Sequence, residues 1–139
     1  MAKFDAYGSE LYKGTNTGTK YAQVVSIGGP SMSLDTIDVT SHDSTSAWEE
    51  VVGGILRSGE VVLEIVYDPA HATHKNAAGG LLADFIARTA IVFTLIFSDT
   101  ATTEWTFSGF ITAFEPSAPV DGALTASVTI KPTGVVTLV

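Results

Sequence analysis

The chain has 139 residues, a formal net charge of -8 and no cysteine. This length suits one domain with a real core and is too short for two domains of ordinary size. The acidic balance has the wrong sign for tight binding to phosphate backbones. The lack of cysteine excludes disulfide frameworks, thiolate nucleophiles and Cys-ligated zinc, and it suits assembly in a reducing cytoplasm. No apolar run approaches the roughly 20 residues that cross a bilayer, and no apolar stretch marks a secretory signal, so we expect a soluble domain.

Residues 1–20 contain three glycines and a polar Thr-Asn-Thr-Gly-Thr stretch without a sustained period. This composition predicts a flexible N-terminal arm. Residues 21–139 are then expected to form a single domain. Its first strands are predicted from Tyr21 to Ile27, and from Asp35 to Thr40, where apolar and polar side chains alternate.

Residues 41–59 mix turn formers with Trp48 and four aliphatic side chains and have no clear strand or helix period. The pattern predicts a long loop. Loops of this length in a compact domain are usually functional or disordered, and one with so many apolar groups needs a covering surface. That surface is either a partner molecule or, as the alternative, the domain's own barrel with the loop folded over it as a lid.

Residues 60–67 alternate cleanly, with Val61, Leu63 and Ile65 facing a core. The opposite face is itself half apolar, which favours association with neighbours. Asp68-Pro69 is a good helix start, and an apolar stripe follows, so we expect one helix over about residues 69–88 with a weak point at Gly79 and Gly80.

The last third of the chain is predicted to be an antiparallel meander. A buried strand from Ile91 to Phe97 is followed by an aromatic-rich strand from Glu104 to Glu115, in which Gly109 indicates a bend or a close backbone approach. After the turn sequence Glu-Pro-Ser-Ala-Pro-Val-Asp-Gly, period-two alternation resumes at Ala123. The predicted fold is therefore mainly β, a β-sandwich or barrel of about seven strands with one flanking α-helix.

No residue pattern predicts chemistry. Asp68, His71 and His74 are spaced by three, as metal ligands on one helical face can be, but no fourth ligand is near and solvated helix surface explains them better. His42 and Asp43 are adjacent loop residues and cannot supply the separated geometry of a catalytic triad. We therefore expect no enzyme activity, no metal and no cofactor.

Four segments together resemble the major tail tube protein of lambda-like siphophages: DTIDVTSHDS followed by WEE, LRSGEVVLEIVYDP with the nearby THK, WTFSGFITAFEPSAPVDG, and LTASVTIKPTG. The resemblance covers roughly residues 20–139. It implies a β-sandwich that assembles into homo-hexameric rings, which stack into a hollow tail. Each subunit would contribute strands to a continuous inner barrel. It further implies location in the virion tail after assembly in the host cytoplasm. The implied partners are tail terminator and tail-tip proteins and passing double-stranded DNA that is not tightly bound, with no membrane.

By the same resemblance, the loop of residues 41–59 and the N-terminal arm become ordered on stacking. Residues expected at contacts between subunits or rings lie in and beside this loop: Trp48, Glu49, Glu50, Val52, Ile55, Leu56 and Arg57. An anionic channel wall would repel DNA evenly, and Asp38, Glu60 and Glu64 are the candidates for it. The alternative is that these three are ordinary outer-surface acids.

Three other functions stay open on the sequence. A tail terminator would share the fold and the ring but cap the tube. A ligand-binding β-sandwich would use the Trp48 loop as its binding surface and stay monomeric. An enzyme would have to rely on His71 and His74.

Overall fold

The computed structural model describes residues 2–138 and is mainly β. Its strands are β1 (Glu10–Lys13), β2 (Thr19–Lys20), β3 (Val24–Gly28), β4 (Met32–Asp38), β5 (Val51–Ser58), β6 (Val61–Val66), β7 (Ile91–Ile96), β8 (Glu104–Ser117) and β9 (Thr125–Leu138). The α-helix of the described residues, α1, is Leu81–Ala87. A 3-10 turn covers Thr45–Ala47.

Two antiparallel sheets organise these strands. A curled seven-stranded sheet has the order β2-β1-β7-β8-β9-β6-β3, and a separate two-stranded sheet is formed by β4 and β5. Strands β8 and β9 have 14 residues each and pair along most of their length, although the pairing register shifts twice. The prediction of a mainly β fold with one helix is confirmed.

The core lies on one face of the seven-stranded sheet. Val61, Leu63 and Ile65 of β6 are fully buried there, as the alternation of this strand predicts. Directly across the pairing with β9 lie the equally buried Ala126, Val128 and Ile130. The Phe93 and Phe107 rings stack at 5.7 Å between centroids and extend the core towards β7 and β8. Burial of these side chains is the main favourable contribution to folding.

Helix α1 covers this core face. Leu81 is buried in the core, and the Lys13 Nζ of β1 donates to both carboxylate oxygens of Asp84, at 3.1 and 2.9 Å. An ion pair with two hydrogen bonds fixes orientation better than a single contact. The helix is therefore attached to the sheet by both apolar burial and a partly buried charge pair.

The predicted helix over residues 69–88 is wrong for most of its length, because residues 69–80 form turns and bends. His74 is fully buried and holds this segment in place: its Nδ1 accepts from the Asp68 N–H at 3.2 Å, and its Nε2 donates to the Ala22 carbonyl oxygen at 2.8 Å. Gly79 then adopts φ +89, which reverses the chain before α1 begins. Tertiary hydrogen bonds and this left-handed residue prevent a continuous helix.

The predicted loop over residues 41–59 is also wrong in its second half, where Val51–Ser58 forms β5 and pairs with β4. The register shifts between Leu34 and Thr36. Two residue steps of β4 face three of β5 here, so the extra residue lies in β5 and moves the later side chains of that strand to the other face, which hides its period-two pattern in the sequence. The connecting loop is accordingly shorter and covers residues 39–50.

The predicted flexible arm is wrong for residues 10–20. Strand β1 pairs with β7, β2 pairs with β1, and Leu11 is fully buried in the core. These long-range pairings order a segment whose own composition is typical of disorder. Residue 1 of the predicted arm lies outside the described residues.

Candidate assembly surfaces

The β4–β5 hairpin is the most apolar exposed element of the described chain. We use "the hairpin" for residues 32–58, that is β4, β5 and the loop between them. Its exposed apolar side chains are Met32, Leu34, Ile37, Val39, Trp48, Val51, Val52, Ile55 and Leu56. Alternation along β4 places Met32 and Leu34 on one face and Ile37 on the other, so both faces are apolar. A two-stranded ribbon is marginally stable in water and exposed patches of this kind mark contact sites, so the hairpin is suited to burial between other molecules.

Residues 39–50, which we call "the tip", are ordered by their own polar groups. The Glu50 N–H donates to the Thr40 Oγ1 at 2.8 Å, and the Ser44 Oγ donates to the Glu50 carboxylate at 2.9 Å. Ser46 and Ala47 have φ of 55 and 61. Non-glycine residues in this region cost roughly 1–2 kcal/mol each, and such strain concentrates at functional sites.

The tip presents Trp48 to the solvent. Its side chain is 75% exposed and follows directly on the strained Ser46-Ala47 pair. A preformed loop that displays a large aromatic ring loses little conformational entropy when that ring is buried at a contact. The tip therefore has the properties of an anchor for a partner surface.

The predicted contact residues all lie on the hairpin, and all are exposed: Trp48, Glu49, Glu50, Val52, Ile55, Leu56 and Arg57. Arg57 lies across the bulge from Asp35, and its Nε donates to that carboxylate at 2.8 Å. The hairpin thus brings together residues that the sequence places on a loop. Their part in subunit contacts stays a prediction.

The second candidate surface is the face of the seven-stranded sheet opposite the core. We call it "the polar face" and define it by five residues of β3, β6, β8 and β9: Ser26, Glu64, Glu115, Ser127 and Thr129. Glu64 lies opposite both Ser26 and Ser127, and Ser127 lies opposite Glu115, so the four form one row across the sheet. Exposed Val62, opposite Thr129, and exposed Lys131 lie on the same face, so it is a mixed surface with short polar side chains, two carboxylates and a lysine at one end.

The three predicted channel acids do not form one cluster. Glu64 lies on the polar face, exposed Glu60 precedes β6 in the turn from β5, and Asp38 ends β4 on the other sheet. Hydrogen bonding by the side chain and the backbone of Thr40 holds the pKa of the Asp38 carboxyl below its ordinary value. Asp38 is therefore anionic across the neutral range, but whether any of the three faces a channel stays a prediction.

Sequence reasoning misses Glu115 because its position depends on pairing register. The pattern of β8 is interrupted between Ile111 and Ala113, where the register shifts, and only the pairing with Ser127 shows which face Glu115 shares. The alternation of β9 is visible in the sequence, and an alignment of β8 against β9 would therefore show that Glu115 shares the face of Ser127. Glu115 joins Glu64 as a candidate channel acid.

His71 and His74 make hydrogen bonds within the segment that precedes α1. His74 is buried with both ring nitrogens bonded, in contrast to the solvated position predicted for it, and the His71 Nδ1 accepts from the Thr73 N–H at 3.1 Å. Within residues 2–138, no three His, Asp or Glu side chains are grouped as metal ligands would be. The helix of this same range is too short to span a bilayer.

The fold is shared with chains of tail-like particles. The chain is similar to one in the tail of an empty gene transfer agent particle with C6 symmetry, at a TM-score of 0.76 and 17% identity over 99% of both chains. A chain from the sheath/tube terminator structure of the PVC extracellular contractile injection system has a TM-score of 0.74 and 16% identity, over 99% of this chain and 97% of that one. A chain of the SPP1 tail tube has a TM-score of 0.64 and 11% identity, over 91% of this chain and 72% of that one.

These comparisons show a common fold. They agree with the tail-tube architecture that the resemblance implies, without singling out the lambda-like siphophages. No protein-family model matches the sequence. No curated protein matches it significantly.

Proposed function

We propose that this protein is a non-enzymatic structural subunit of a phage-type tail tube, which self-assembles into stacked hexameric rings and forms a conduit for double-stranded DNA. The observation that carries the proposal is the hairpin, whose two apolar faces are exposed in the single subunit. Neighbouring copies would cover both faces. The shared fold with a chain from a C6-symmetric tail supports this arrangement.

The hairpin supplies the contacts in this proposal. Trp48, Ile55 and Leu56 are between 64 and 79% exposed and would become buried against adjacent subunits or rings. Large aromatic and aliphatic groups that become fully desolvated supply most of the energy of a contact. Glu49, Glu50, Val52 and Arg57 would surround these anchors and set the orientation.

The polar face supplies the channel wall. Strands β3, β6, β8 and β9 of each subunit would contribute to a continuous inner barrel, with Glu64 and Glu115 towards the bore. Duplex DNA carries one negative charge per about 1.7 Å of its axis, so the Glu64 and Glu115 carboxylates would repel it, where cations in their place would hold it. The chain's net charge of -8 agrees with passage without tight binding.

The protein would act in the virion tail after assembly in the host cytoplasm, together with terminator and tail-tip proteins and without a membrane. A tail terminator is the second candidate function, because the chain is also similar in fold to one from a sheath/tube terminator structure, with a TM-score of 0.74. Both functions require rings. Only the tube subunit requires that rings add to one another.

Electron microscopy of the purified chain over a range of concentrations tests the proposal. A tube subunit forms hollow filaments of variable length, with six subunits in each ring in end views. Single rings that never elongate would identify a terminator instead. Particles that stay monomeric at the highest concentration would contradict both functions and leave the ligand-binding module as the better account.

A further inference from the structure

An apolar groove lies between the base of the hairpin and the C-terminal half of β9. Met32 and Leu56 line one side, Val135 and Leu138 line the other, and the volume is about 680 Å³. This falls within the range of pockets that enclose a drug-sized ligand, so an indole ring can enter it. Leu56 and Val135 are 79 and 84% exposed and would both gain from being covered.

The rim of the groove is cationic. It includes Arg57 and Lys131, and its lining has no carboxylate among residues 2–138. The Arg57 Nε is engaged by Asp35, whereas the Lys131 Nζ donates to the neutral Gly59 carbonyl at 2.9 Å. Among residues 2–138, no carboxylate pairs with Lys131, which therefore brings a positive charge to the mouth of an apolar groove in an acidic protein.

Two other grooves of the described chain lack this character. One, beside Phe97 and Trp105, has Asp5 and Asp99 on its lining. The other contains Lys20, whose Nζ is already paired with the Glu10 carboxylate at 2.8 Å. Of these three grooves, the one at Lys131 is best suited to a partner that combines an apolar group with a negative charge.

The tip has the complementary chemistry. Trp48 is followed by Glu49, and both are exposed. The neighbouring Glu50 carboxylate is held within the tip by Ser44, which leaves Glu49 as the carboxylate beside the indole that can turn to a partner. An aromatic anchor next to an acid matches an apolar groove next to a lysine.

The tip of a subunit cannot enter that subunit's own groove. The tip joins β5 at Val51, the groove lies at Leu56 and Arg57, and β5 is paired with β4 on both sides of the bulge between them. The paired segment of β4 runs four residue steps, from Leu34 to Asp38, and at about 3.4 Å per step it separates the two surfaces by roughly 14 Å. The occupant is therefore a second copy of the chain, and the contact is heterologous, which generates closed rings or open stacks.

We propose that the tip of one subunit inserts into the groove of a second copy, with the Trp48 indole between Leu56 and Val135 and the Glu49 carboxylate against the Lys131 ammonium. The inference rests on the proposed self-assembly and identifies the contact by which one subunit binds the next. It places Lys131, Val135 and Leu138 at the interface, in addition to the hairpin residues that the sequence predicts there.

Charge exchange between Glu49 and Lys131 tests the contact. Glu49→Lys and Lys131→Glu each place like charges at the proposed pair, and each should raise the protein concentration needed for assembly by about three- to tenfold. The double variant restores opposite charges and should assemble near the concentration of the unaltered protein. Val120→Lys is the matched control for an added surface charge, because Val120 is fully exposed in the turn between β8 and β9.

Disulfide trapping gives a second readout, and the cysteine-free chain is a clean background for it. Glu49→Cys protein mixed with Lys131→Cys protein should form cross-linked pairs on mild oxidation. Val120→Cys mixed with Lys131→Cys should form few. Thermal melting of each variant shows that the fold is retained.

The outcomes separate this inference from the proposed function. One pair of results has the unaltered chain forming tubes while the single variants also assemble normally, or while the double variant assembles no better than either single variant. Either result would overturn the tip-to-groove contact and leave the tail-tube function standing. An unaltered chain that does not assemble, with cysteine variants that form no disulfide between positions 49 and 131, would overturn both. Rescue by the double variant, together with cross-linking, supports the contact.

Discussion

Single side chains in this protein act through partners that are remote in sequence. His74 satisfies a backbone N–H six residues earlier and the carbonyl of Ala22, 52 residues away. A local pattern gives no sign of the second partner, and for this reason solvated helix surface is the wrong prediction for it. Gly109 is more accessible to sequence reasoning: a Cβ there would lie 2.8 Å from the Lys131 carbonyl oxygen, which confirms the predicted close approach.

Asp99 provides a test at this scale, because its carboxylate caps the turn between β7 and β8. It accepts from the Thr103 Oγ1 at 2.6 Å and from the Thr103 N–H at 2.7 Å. These hydrogen bonds, the side-chain one first, lower the pKa of the Asp99 carboxyl. A lowered pKa in the folded state means that the stabilisation is present above the ordinary Asp value near 4 and is lost as the pH falls through the lowered value.

We therefore expect Asp99→Asn to lower the melting temperature at neutral pH, with a difference from the unaltered protein that shrinks as the pH falls and disappears below the lowered pKa of Asp99. Calorimetry across this pH range measures it. Asp121→Asn, in the exposed turn between β8 and β9, is the control. A difference that is constant with pH would show that the charge of Asp99 does not contribute.

At the scale of elements, the sequence predicts regular strands well and irregular ones badly. The alternation of β6, and of β9 as far as Pro132, identifies their buried faces correctly, because nothing interrupts the period there. The bulge in the hairpin removes that signal, so β5 is missed although its Val and Ile residues favour strand. Strand β1 is missed for a different reason, since its order comes from pairing with β7.

Two leucines of successive strands in the chain, one in each sheet, separate the stability of the fold from the capacity to assemble. Leu63 on β6 is fully buried, so Leu63→Ala should lower the free energy of unfolding by about 2–5 kcal/mol. Leu56 on β5 is 79% exposed, so Leu56→Ala should change that free energy in the dissociated subunit by less than about 0.5 kcal/mol while it reduces tube formation. Denaturant titration of dilute protein and electron microscopy of concentrated protein give the two measurements. A large loss of stability in Leu56→Ala would show that the hairpin belongs to the core of the single subunit.

For the molecule as a whole, the ordered set of short segments indicates the tail-tube fold better than any single element does. Each segment alone is an ordinary strand or turn. Their order along the chain, together with the fold shared with chains of tail-like particles, leads to the proposed tube. The face directed to the bore could not be predicted, because period two assigns side chains to faces without saying what each face meets.

Reversal of charge on the polar face tests the channel at this scale. Glu64→Lys should leave the fold and tube assembly unchanged, since Glu64 is exposed at the centre of β6. It should retain DNA in the bore and reduce ejection, because every subunit then offers a cation to the phosphates. Asp121→Lys is the control for the same charge change in the turn between β8 and β9. The measurement is DNA release from particles with normal tails. Unchanged release would place Glu64 on the outside of the tube.

Fluorescence of Trp48 reports directly on whether other copies of this chain cover the hairpin, as we propose. The chain has two tryptophans, and Trp105 lies against Phe97 within the domain, so Trp105→Phe leaves Trp48 as the single reporter on the tip. Emission and acrylamide quenching of Trp48 should be followed as the protein concentration rises. We expect the indole to be exposed in dilute protein, and its emission to shift to shorter wavelength and become protected from the quencher as assemblies appear. A Trp48 that is already protected in the monomer, or one that stays open to the quencher in the assembled state, would contradict it.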